Sequence, residues 1–376
     1  MLCLTLTYPL TIVPCNGHRR AMTNAAPASA GRRGEQELEV LDVATAPIKP
    51  QNGSVEALIR LAAADMGGVD ALITARLDSP VPVIPALAEH LIAAGGKRLR
   101  PLLTVAAARL AGGTDDACLK LAAAVEFIHT ATLLHDDVVD GSQLRRGKVA
   151  AHLIWGGASS VLVGDFLFAR SFELMVETGS LRSLSILAKA SSVIAEGEVL
   201  QLTRAHDLNL DQHTYLEIIR AKTAELFAAS AEAGAVSAGA PEPQIAALRA
   251  YGLNLGLAFQ LADDALDYSG VAETLGKNAG DDFREGKATL PLLLAIARSG
   301  PREAEFWERA IGRLDQTEAD FRRAREIIVG TGALQATLDL GADYAETAKA
   351  ALAVFPDGEW RRSLEALADF AVSRPA

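Results

Sequence analysis

The chain has 376 residues and a formal net charge of -11, and half of its residues are hydrophobic although only 5% are aromatic. This charge argues against a general surface for nucleic acid or for an anionic membrane, because binding along phosphates requires a basic face. A core built mainly from Ala, Leu, Ile and Val is typical of closely packed helices, so the composition favours an all-α fold. The three cysteines lack disulfide or metal-ligand spacing, which predicts a reducing, cytoplasmic location.

The first fifty residues differ from the rest of the chain. Their apolar start lacks the basic region of a secretory signal and is interrupted by Pro9 and Pro14. The next stretch is rich in Arg, Ala and Ser, as transit peptides are, while Met22 offers an alternative start. We expect residues 1–50 to be an N-terminal extension that is disordered or precedes the true start, and residues 51–376 to form one helical domain.

From Ser54 onward, apolar stretches with helical periodicity are separated by short joints that contain Gly, Pro, Asp or Asn. No alternation is long enough to predict a sheet, and no repeat period is visible. No uninterrupted apolar run reaches the roughly 18 residues that a spanning helix needs, so at most peripheral membrane contact is expected. The pattern predicts one large all-α domain.

The first basic cluster is GGKRLRP at residues 95–101, which contains Lys97, Arg98 and Arg100. Its two glycines and Pro101 indicate a loop that enters a helix. Backbone N–H groups at such an entry favour anions, so the cluster is a candidate site for a phosphate group.

A first acidic patch follows in LLHDDVVD. His129, Asp136, Asp137 and Asp140 are spaced so that they share one face of a helix. Two like charges 4 Å apart repel by roughly 4 kcal/mol at an effective dielectric constant of 20, so three neighbouring carboxylates need cations or raised pKa values. Magnesium is the expected cation, because it takes oxygen ligands and keeps water or phosphate oxygens in its shell.

Three further basic residues lie downstream of this patch. Arg145 and Arg146 follow it within a few residues, and the arginine fork matches diphosphate oxygens well. Lys222 shares a helix face with Ile219 and Leu226, which predicts that it points toward the interior. An interior lysine requires an anionic partner.

A second acidic patch occurs in FQLADDALDY, where Gln260, Asp263, Asp264 and Asp267 share one helix face. One such patch is weak evidence, since an exposed acidic helix also produces it. Two patches in apolar helices predict opposed helices that bind one polyanion through shared cations.

These motifs, together with GEVLQL and GKNAGDDFREGKATLPLL, resemble the trans-polyprenyl diphosphate synthase family in kind and in order from about Ser54 to the C-terminus. The resemblance implies the isoprenoid synthase fold, a single large bundle of antiparallel helices around a deep apolar cavity, in a homodimer. It also implies an Mg²⁺-dependent transferase that condenses an allylic diphosphate of the farnesyl or geranylgeranyl type with successive isopentenyl diphosphate units.

The resemblance assigns roles to the matching positions. The residues expected to bind magnesium are Asp136, Asp137, Asp140, Asp263, Asp264 and Asp267. Those expected to bind isopentenyl diphosphate are Lys97, Arg100, His129 and Arg146. Those expected to bind the allylic diphosphate are Arg145, Lys222, Thr223, Gln260, Lys277 and Lys287. The residues expected to be catalytic are Asp136, Asp137, Asp140, Lys222, Asp263 and Asp264.

Product length depends on the residues below the first acidic patch. Ala131 and Thr132 lie about one turn below Asp136, and Ile128 lies lower. In the family that this chain resembles, a bulky aromatic residue at the position of Ala131 stops growth early. The small side chain here, on a helix of about 33 Å, predicts a product of roughly eight to ten isoprene units, as in a quinone side chain.

Two alternative functions remain open at this point. A terpene cyclase shares the aspartate-rich helices but needs no second diphosphate site, whereas this chain has a basic cluster suited to one. A non-catalytic helical subunit is expected to lack carboxylates from one patch, and here all six aspartates are present.

Overall fold

A computed structural model of the chain describes residues 54–93, 98–145, 147–269 and 280–373. The predicted extension, residues 1–50, lies outside this part of the chain. The described residues are almost entirely helical, so the predicted all-α fold is confirmed. The α-helices are α1 (Val55–Arg76), α2 (Val83–Ala93), α3 (Leu99–Leu110), α4 (Ala117–Val139), α5 (Ala151–Trp155), α6 (Gly157–Glu177), α7 (Leu181–Thr203), α8 (Gln212–Ile219), α9 (Glu225–Ser237), α10 (Glu242–Ser269), α11 (Asp281–Arg284), α12 (Leu290–Arg298), α13 (Pro301–Trp307), α14 (Glu318–Gly330), α15 (Ala333–Ala351) and α16 (Glu359–Val372).

Shorter elements connect these helices. A two-stranded antiparallel hairpin, β1 (Leu144–Arg145) and β2 (Lys148–Val149), lies in the joint after α4 that the sequence predicts to be a turn. π-helical turns at Arg220–Ala224 and Glu308–Gly312 follow α8 and α13, and a 3₁₀ turn at Leu352–Val354 follows α15. The hairpin turns Arg145 back toward the end of α4, which matters for the site.

The core is centred on α4, α9 and α10. Helix α4 packs against α6, α10 packs against α15 and α9, and α9 also packs against α3. These contacts are close because small residues face them: a methyl group at Gly252 of α10 would collide with the carbonyl oxygen of Phe227 in α9. Helices that approach this closely are in backbone contact, which fixes the position of each helix along its neighbour.

Helices α4 and α10 are each long and apolar enough to cross a membrane, but more than half of each is buried inside the protein. Burial of this kind is the ordinary state of a core helix. The two helices carry the two acidic patches, so the most deeply packed elements of the fold also position the candidate site.

Candidate active site

The first acidic patch lies at the C-terminal end of α4. The N–H of Asp140 closes the helix by donating to the carbonyl oxygen of Asp136 at 2.7 Å. A helix C-terminus carries partial negative charge, so carboxylates are unfavourable there unless cations oppose them. Asp137 is only 1% exposed and accepts from Arg145 Nε at 2.9 Å through Oδ1. Its Oδ2 is buried and has no hydrogen-bond partner among the described residues.

Lys222 reaches this patch from the π-helical turn Arg220–Ala224. Its Nζ lies 2.8 Å from Glu198 Oε2 in α7 and 4.0 Å from Asp136 Oδ2. Burial raises the pKa of Asp136 to about 6, although Lys222 partly opposes the shift, and the nearby charges of Glu198 and Asp140 add to it. The prediction that Lys222 points inward is therefore consistent with its contacts, and the anion that it meets is the acidic patch itself.

Lys287, in the segment between α11 and α12, is the second lysine that contacts the first acidic patch. Its Nζ lies 3.0 Å from Asp140 Oδ2 and 2.5 Å from Glu285 Oε2. Burial would lower the pKa of Lys287, but the charges of Asp140, Asp282 and Glu285 outweigh it and raise the value. Asp282 belongs to the surroundings of the second acidic patch, so Lys287 lies between the two patches.

The second acidic patch is on α10, and Asp264 is its most buried member, at 3% exposure. Tyr215 of α8 donates its hydroxyl to Asp264 Oδ2, and Gln260 Nε2 donates to Oδ1 at 2.7 Å. Gln260 Oε1 in turn accepts from Thr223 Oγ1 at 2.8 Å. Burial raises the pKa of Asp264 to about 7 in spite of these donors. The Lys222–Thr223 turn is thus connected to both patches.

Asp267 has backbone partners. Its Oδ1 accepts from the N–H of Gly280 at 3.0 Å, and its Oδ2 accepts from the N–H of Asp282 at 3.1 Å. Burial raises its pKa to about 6, and these N–H groups limit the rise. The pKa of Asp282 is also raised, by burial first and then by Asp267 and Asp264. Asp263, half-buried, lies on the same helix.

The predicted isopentenyl diphosphate site is partly described. Arg100 Nη1 lies 3.2 Å from His129 Nε2, and its guanidinium lies 4.4 Å from the centroid of the Phe227 ring. Arg98 has a left-handed backbone, with φ of 45°, and faces Asp70 and other acidic neighbours outside this pair. Arg98 and Arg100 of the GGKRLRP motif therefore contact different partners, and of these two only Arg100 lies beside His129. The remaining predicted ligands Lys97, Arg146 and Lys277 lie outside the described residues.

The three residues predicted to control product length lie in the buried half of α4. Ala131 and Ile128 are fully buried. Thr132 is half-buried, and its hydroxyl donates to the carbonyl oxygen of His129 at 2.8 Å. All three lie toward the N-terminus of α4 from Asp136, as the sequence predicts.

The carboxylate oxygens of the two patches suit a hard cation that also keeps water or phosphate oxygens as ligands. In the part of the chain that the structure describes, no three acidic, His or Cys side chains converge well enough to coordinate an ion by themselves. Magnesium characteristically takes one or two carboxylates together with water and phosphate oxygens. The buried Asp137 Oδ2 without a hydrogen-bond partner and the raised pKa of Asp136 both mark carboxylates that a cation would stabilise.

The sequence indicates no role for Tyr215 or Asp282, and it marks Glu198 only as part of a helix expected to face the cavity. Tyr215 precedes Lys222 by seven residues, so helical periodicity puts it on the same face two turns away and could have identified it. Asp282 lies in a motif that the sequence singles out. Glu198 lies in the GEVLQL motif, but its pairing with Lys222 is not predictable, because it depends on how α7 packs against the π-helical turn.

Known proteins resemble this chain over most of its length. Residues 81–328, more than half of the chain, match the family model of polyprenyl synthetases. The octaprenyl diphosphate synthase of Escherichia coli (strain K12) is 44% identical over 321 residues, which cover 85% of this chain and 99% of that protein.

Solved structures give the same result. A polyprenyl synthase from Caulobacter crescentus CB15, complexed with calcium and isoprenyl diphosphate, is 79% identical and has a TM-score of 0.84, covering 87% of this chain and 100% of that one. A decaprenyl diphosphate synthase from Rhodobacter capsulatus is 52% identical and has a TM-score of 0.81, covering 85% of this chain and 98% of that one.

The raised carboxyl pKa values predict how the stability of the metal-free protein depends on pH. Asp136, Asp264 and Asp267 bind protons more tightly in the folded state than in the unfolded chain. Their contribution to the free energy of unfolding should therefore fall, by on the order of a few kcal/mol, as the pH rises from about 4 to about 7. Thermal unfolding between pH 5 and 8 in a chelator, repeated with Mg²⁺ and inorganic diphosphate, measures this effect.

Asp136→Asn is the matched variant, since it removes one of the raised pKa values at nearly constant size. We expect a smaller loss of stability with pH in this variant, and a smaller gain on adding Mg²⁺ and diphosphate at pH 8. An unchanged pH dependence in Asp136→Asn would contradict the assignment of a raised pKa to this carboxyl group.

Proposed function

The chain belongs to the polyprenyl synthetase family, and from that premise we propose that it makes a long-chain all-trans polyprenyl diphosphate for a quinone side chain. It is a transferase that condenses an allylic diphosphate with successive isopentenyl diphosphate units. The observation that carries the assignment of the site is that α4 and α10 present two acidic patches, with Lys222 and Lys287 beside them.

We propose Mg²⁺ as the metal and divide the six aspartates between two tasks. Asp136, Asp137 and Asp140 of α4, with Asp263 of α10, bind the cations. Asp264 and Asp267 position the patch, since protein donors already engage both oxygens of each carboxylate. When bound, Mg²⁺ supplies Lewis-acid stabilisation of the diphosphate leaving group.

The side chains then account for the reaction. Lys222, Arg145 and Lys287 bind the allylic diphosphate and stabilise its negative charge as the carbon–oxygen bond breaks. The double bond of isopentenyl diphosphate donates its electron pair to the resulting allylic cation, and a new carbon–carbon bond forms. A proton leaves the adjacent carbon, and the released diphosphate is the base that accepts it. The buried apolar wall of α4 excludes water, which would otherwise trap the cation as an alcohol.

Arg100 and His129 support a second diphosphate site. Their 3.2 Å contact brings a cation and an imidazole together at the start of α3 and the middle of α4. A terpene cyclase has no use for this site, so its presence favours chain elongation over cyclisation. A non-catalytic subunit is also disfavoured, because both acidic patches are complete.

We also propose that the enzyme is a cytoplasmic homodimer. Apolar side chains are exposed on one face of α6, where Leu162 is 66% and Val176 is 63% exposed, and on α7, where Leu202 is 52% exposed. The α6 positions fall within one side of the helix. Large apolar side chains exposed together on one helix face are typical of a protein contact, and a second copy covers them by pairing the same faces.

Asp136→Ala should reduce kcat by on the order of a thousandfold, because it removes a ligand for the cation that stabilises the leaving group. Product chromatography with farnesyl diphosphate, isopentenyl diphosphate and Mg²⁺ measures the rate, and circular dichroism checks the fold. Asp343→Ala, at an exposed position of α15, should retain full activity. A near-normal rate for Asp136→Ala, or a long product without Mg²⁺, would reject this metal site.

Ala131→Phe should shorten the product, because an aromatic ring on the buried face of α4 blocks the path that we assign to the growing tail. The measurement is the chain-length distribution by reversed-phase chromatography. Val139→Phe, at an exposed position on the same helix, controls for added bulk. An unchanged product from Ala131→Phe would show that the tail takes another path.

Leu162→Asp should convert the dimer to a monomer, since it puts a charge into an apolar contact. Light scattering coupled to size-exclusion chromatography measures the mass. Val329→Asp, which replaces a similarly exposed residue on α14, should leave the dimer intact. If Leu162→Asp stays dimeric, the interface lies on another face.

A further inference from the structure

The π-helical turn that carries Lys222 is packed between glycines of two different helices. In this turn the N–H of Glu225 donates to the carbonyl oxygen of Arg220, five residues earlier, so the helix is locally wider than an α-helix. Such turns change the direction in which neighbouring side chains point. Here Lys222 points to Asp136 and Glu198, while Thr223 points to Gln260.

Gly197 of α7 faces the first half of the turn. A Cβ atom built at Gly197 would lie 2.7 Å from Ala221 Cβ and 3.0 Å from the backbone nitrogen of Lys222. The 2.7 Å contact is shorter than real Cβ atoms adopt and the 3.0 Å contact is tight, so any other residue at 197 must displace the turn. The next residue, Glu198, accepts from Lys222 Nζ at 2.8 Å. The same two-residue segment therefore sets the position of both the Lys222 backbone and its ammonium group.

Gly256 of α10 faces the second half of the turn from the other helix. A Cβ atom at this position would lie 2.6 Å from Ala224 Cα and 2.9 Å from Ala224 Cβ. Because the nearest atom belongs to the backbone, the turn cannot yield by moving a side chain. Gly256 precedes Gln260 by one helical turn, and Gln260 connects Thr223 to Asp264.

We propose that Gly197 and Gly256 are positioning residues for the reaction. They hold the π-helical turn at the position along α7 and α10 at which Lys222 and Thr223 meet the allylic diphosphate. This inference rests on the proposed function, which assigns that ligand to Lys222 and Thr223. An added methyl group on either helix shifts the turn and moves the ammonium away from the acidic patch. At Gly197 the nearest atoms all belong to the turn, so the isopentenyl diphosphate site of Arg100 and His129 keeps its geometry in that variant. At Gly256 the added methyl group also approaches Phe227 Cβ at 3.2 Å, beneath Arg100, so the selective test is made at Gly197.

The test is a cycle of substitutions at Gly197 and Ala221, read out by equilibrium binding of farnesyl S-thiolodiphosphate, an unreactive allylic analogue, in the presence of Mg²⁺. Gly197→Ala should raise its Kd by about tenfold or more and leave the Kd of isopentenyl diphosphate within about twofold. Ala221→Gly removes the methyl group that the new side chain strikes. The double variant Gly197→Ala with Ala221→Gly should recover most of the allylic affinity, although Ala221→Gly alone does not raise it.

Three controls separate positioning from general stability. Gly113→Ala meets Ala238 Cβ at 2.7 Å, the same distance as the Gly197–Ala221 contact, but outside the turn and both diphosphate sites, so it should lower Tm without changing the ratio of the two Kd values. Gly67→Ala, at an exposed position of α1 with open space around it, should be neutral in both measurements. Ala221→Gly should not rescue Gly256→Ala, because Gly256 contacts Ala224 instead.

The outcomes distinguish this inference from the proposed function. If Lys222→Met leaves the Kd of the allylic analogue unchanged, the proposed role of Lys222 fails. If Lys222→Met weakens binding while Gly197→Ala does not, or if Ala221→Gly restores folding of Gly197→Ala without restoring affinity, the positioning role is overturned. Selective loss of allylic affinity with rescue at position 221 supports it.

Discussion

Repulsion between buried carboxylates is the constraint on which this structure depends. Two acidic patches are embedded in the two helices that form the centre of the core, where charge is poorly solvated. Their pKa values rise to about 6 for Asp136 and about 7 for Asp264. Burial therefore destabilises the charged carboxylates by more than the neighbouring cations and hydrogen-bond donors stabilise them. Lys222 and Lys287 limit this cost, and each does so from a segment between helices. Acidic side chains therefore outnumber basic ones around the two patches, and this excess favours the binding of cations.

Close packing makes this arrangement possible. A fold with few aromatic residues brings helices together through alanine and glycine, and it transmits the position of one backbone directly to the next. Gly197 and Gly256 show the consequence, since α7 and α10 contact the Lys222 turn through backbone atoms. The precision of the site thus arises from helix packing, in addition to the side-chain ion pairs.

The sequence was sufficient for the parts of the site that depend on local periodicity. Spacing of three and four residues placed Asp136 with Asp140 and predicted the inward direction of Lys222, and both inferences match the described geometry. The hydrogen-bond partners within the second patch were only partly predictable. The partners of Asp267 are backbone N–H groups, which carry no sequence signal. Gln260, one partner of Asp264, shares its helix face, but the other partner is Tyr215, almost fifty residues earlier in the chain. The π-helical turn is equally difficult to predict from the sequence, because its backbone hydrogen bonds depend on packing against two other helices.

The two patches differ in a way that bears on how the site accepts its ligands. Both oxygens of Asp264 and of Asp267 are already engaged by protein donors, so the second patch is largely organised in advance. In the first patch, Asp136 and Asp140 face lysine ammonium groups that a diphosphate can also bind. In the proposed reaction, a cation held by Asp136 and Asp140 and a diphosphate held by Lys222 and Lys287 would replace these contacts with matching ones. A diphosphate without a cation would meet the carboxylates directly, so repulsion by the first patch makes the proposed diphosphate site depend on a metal.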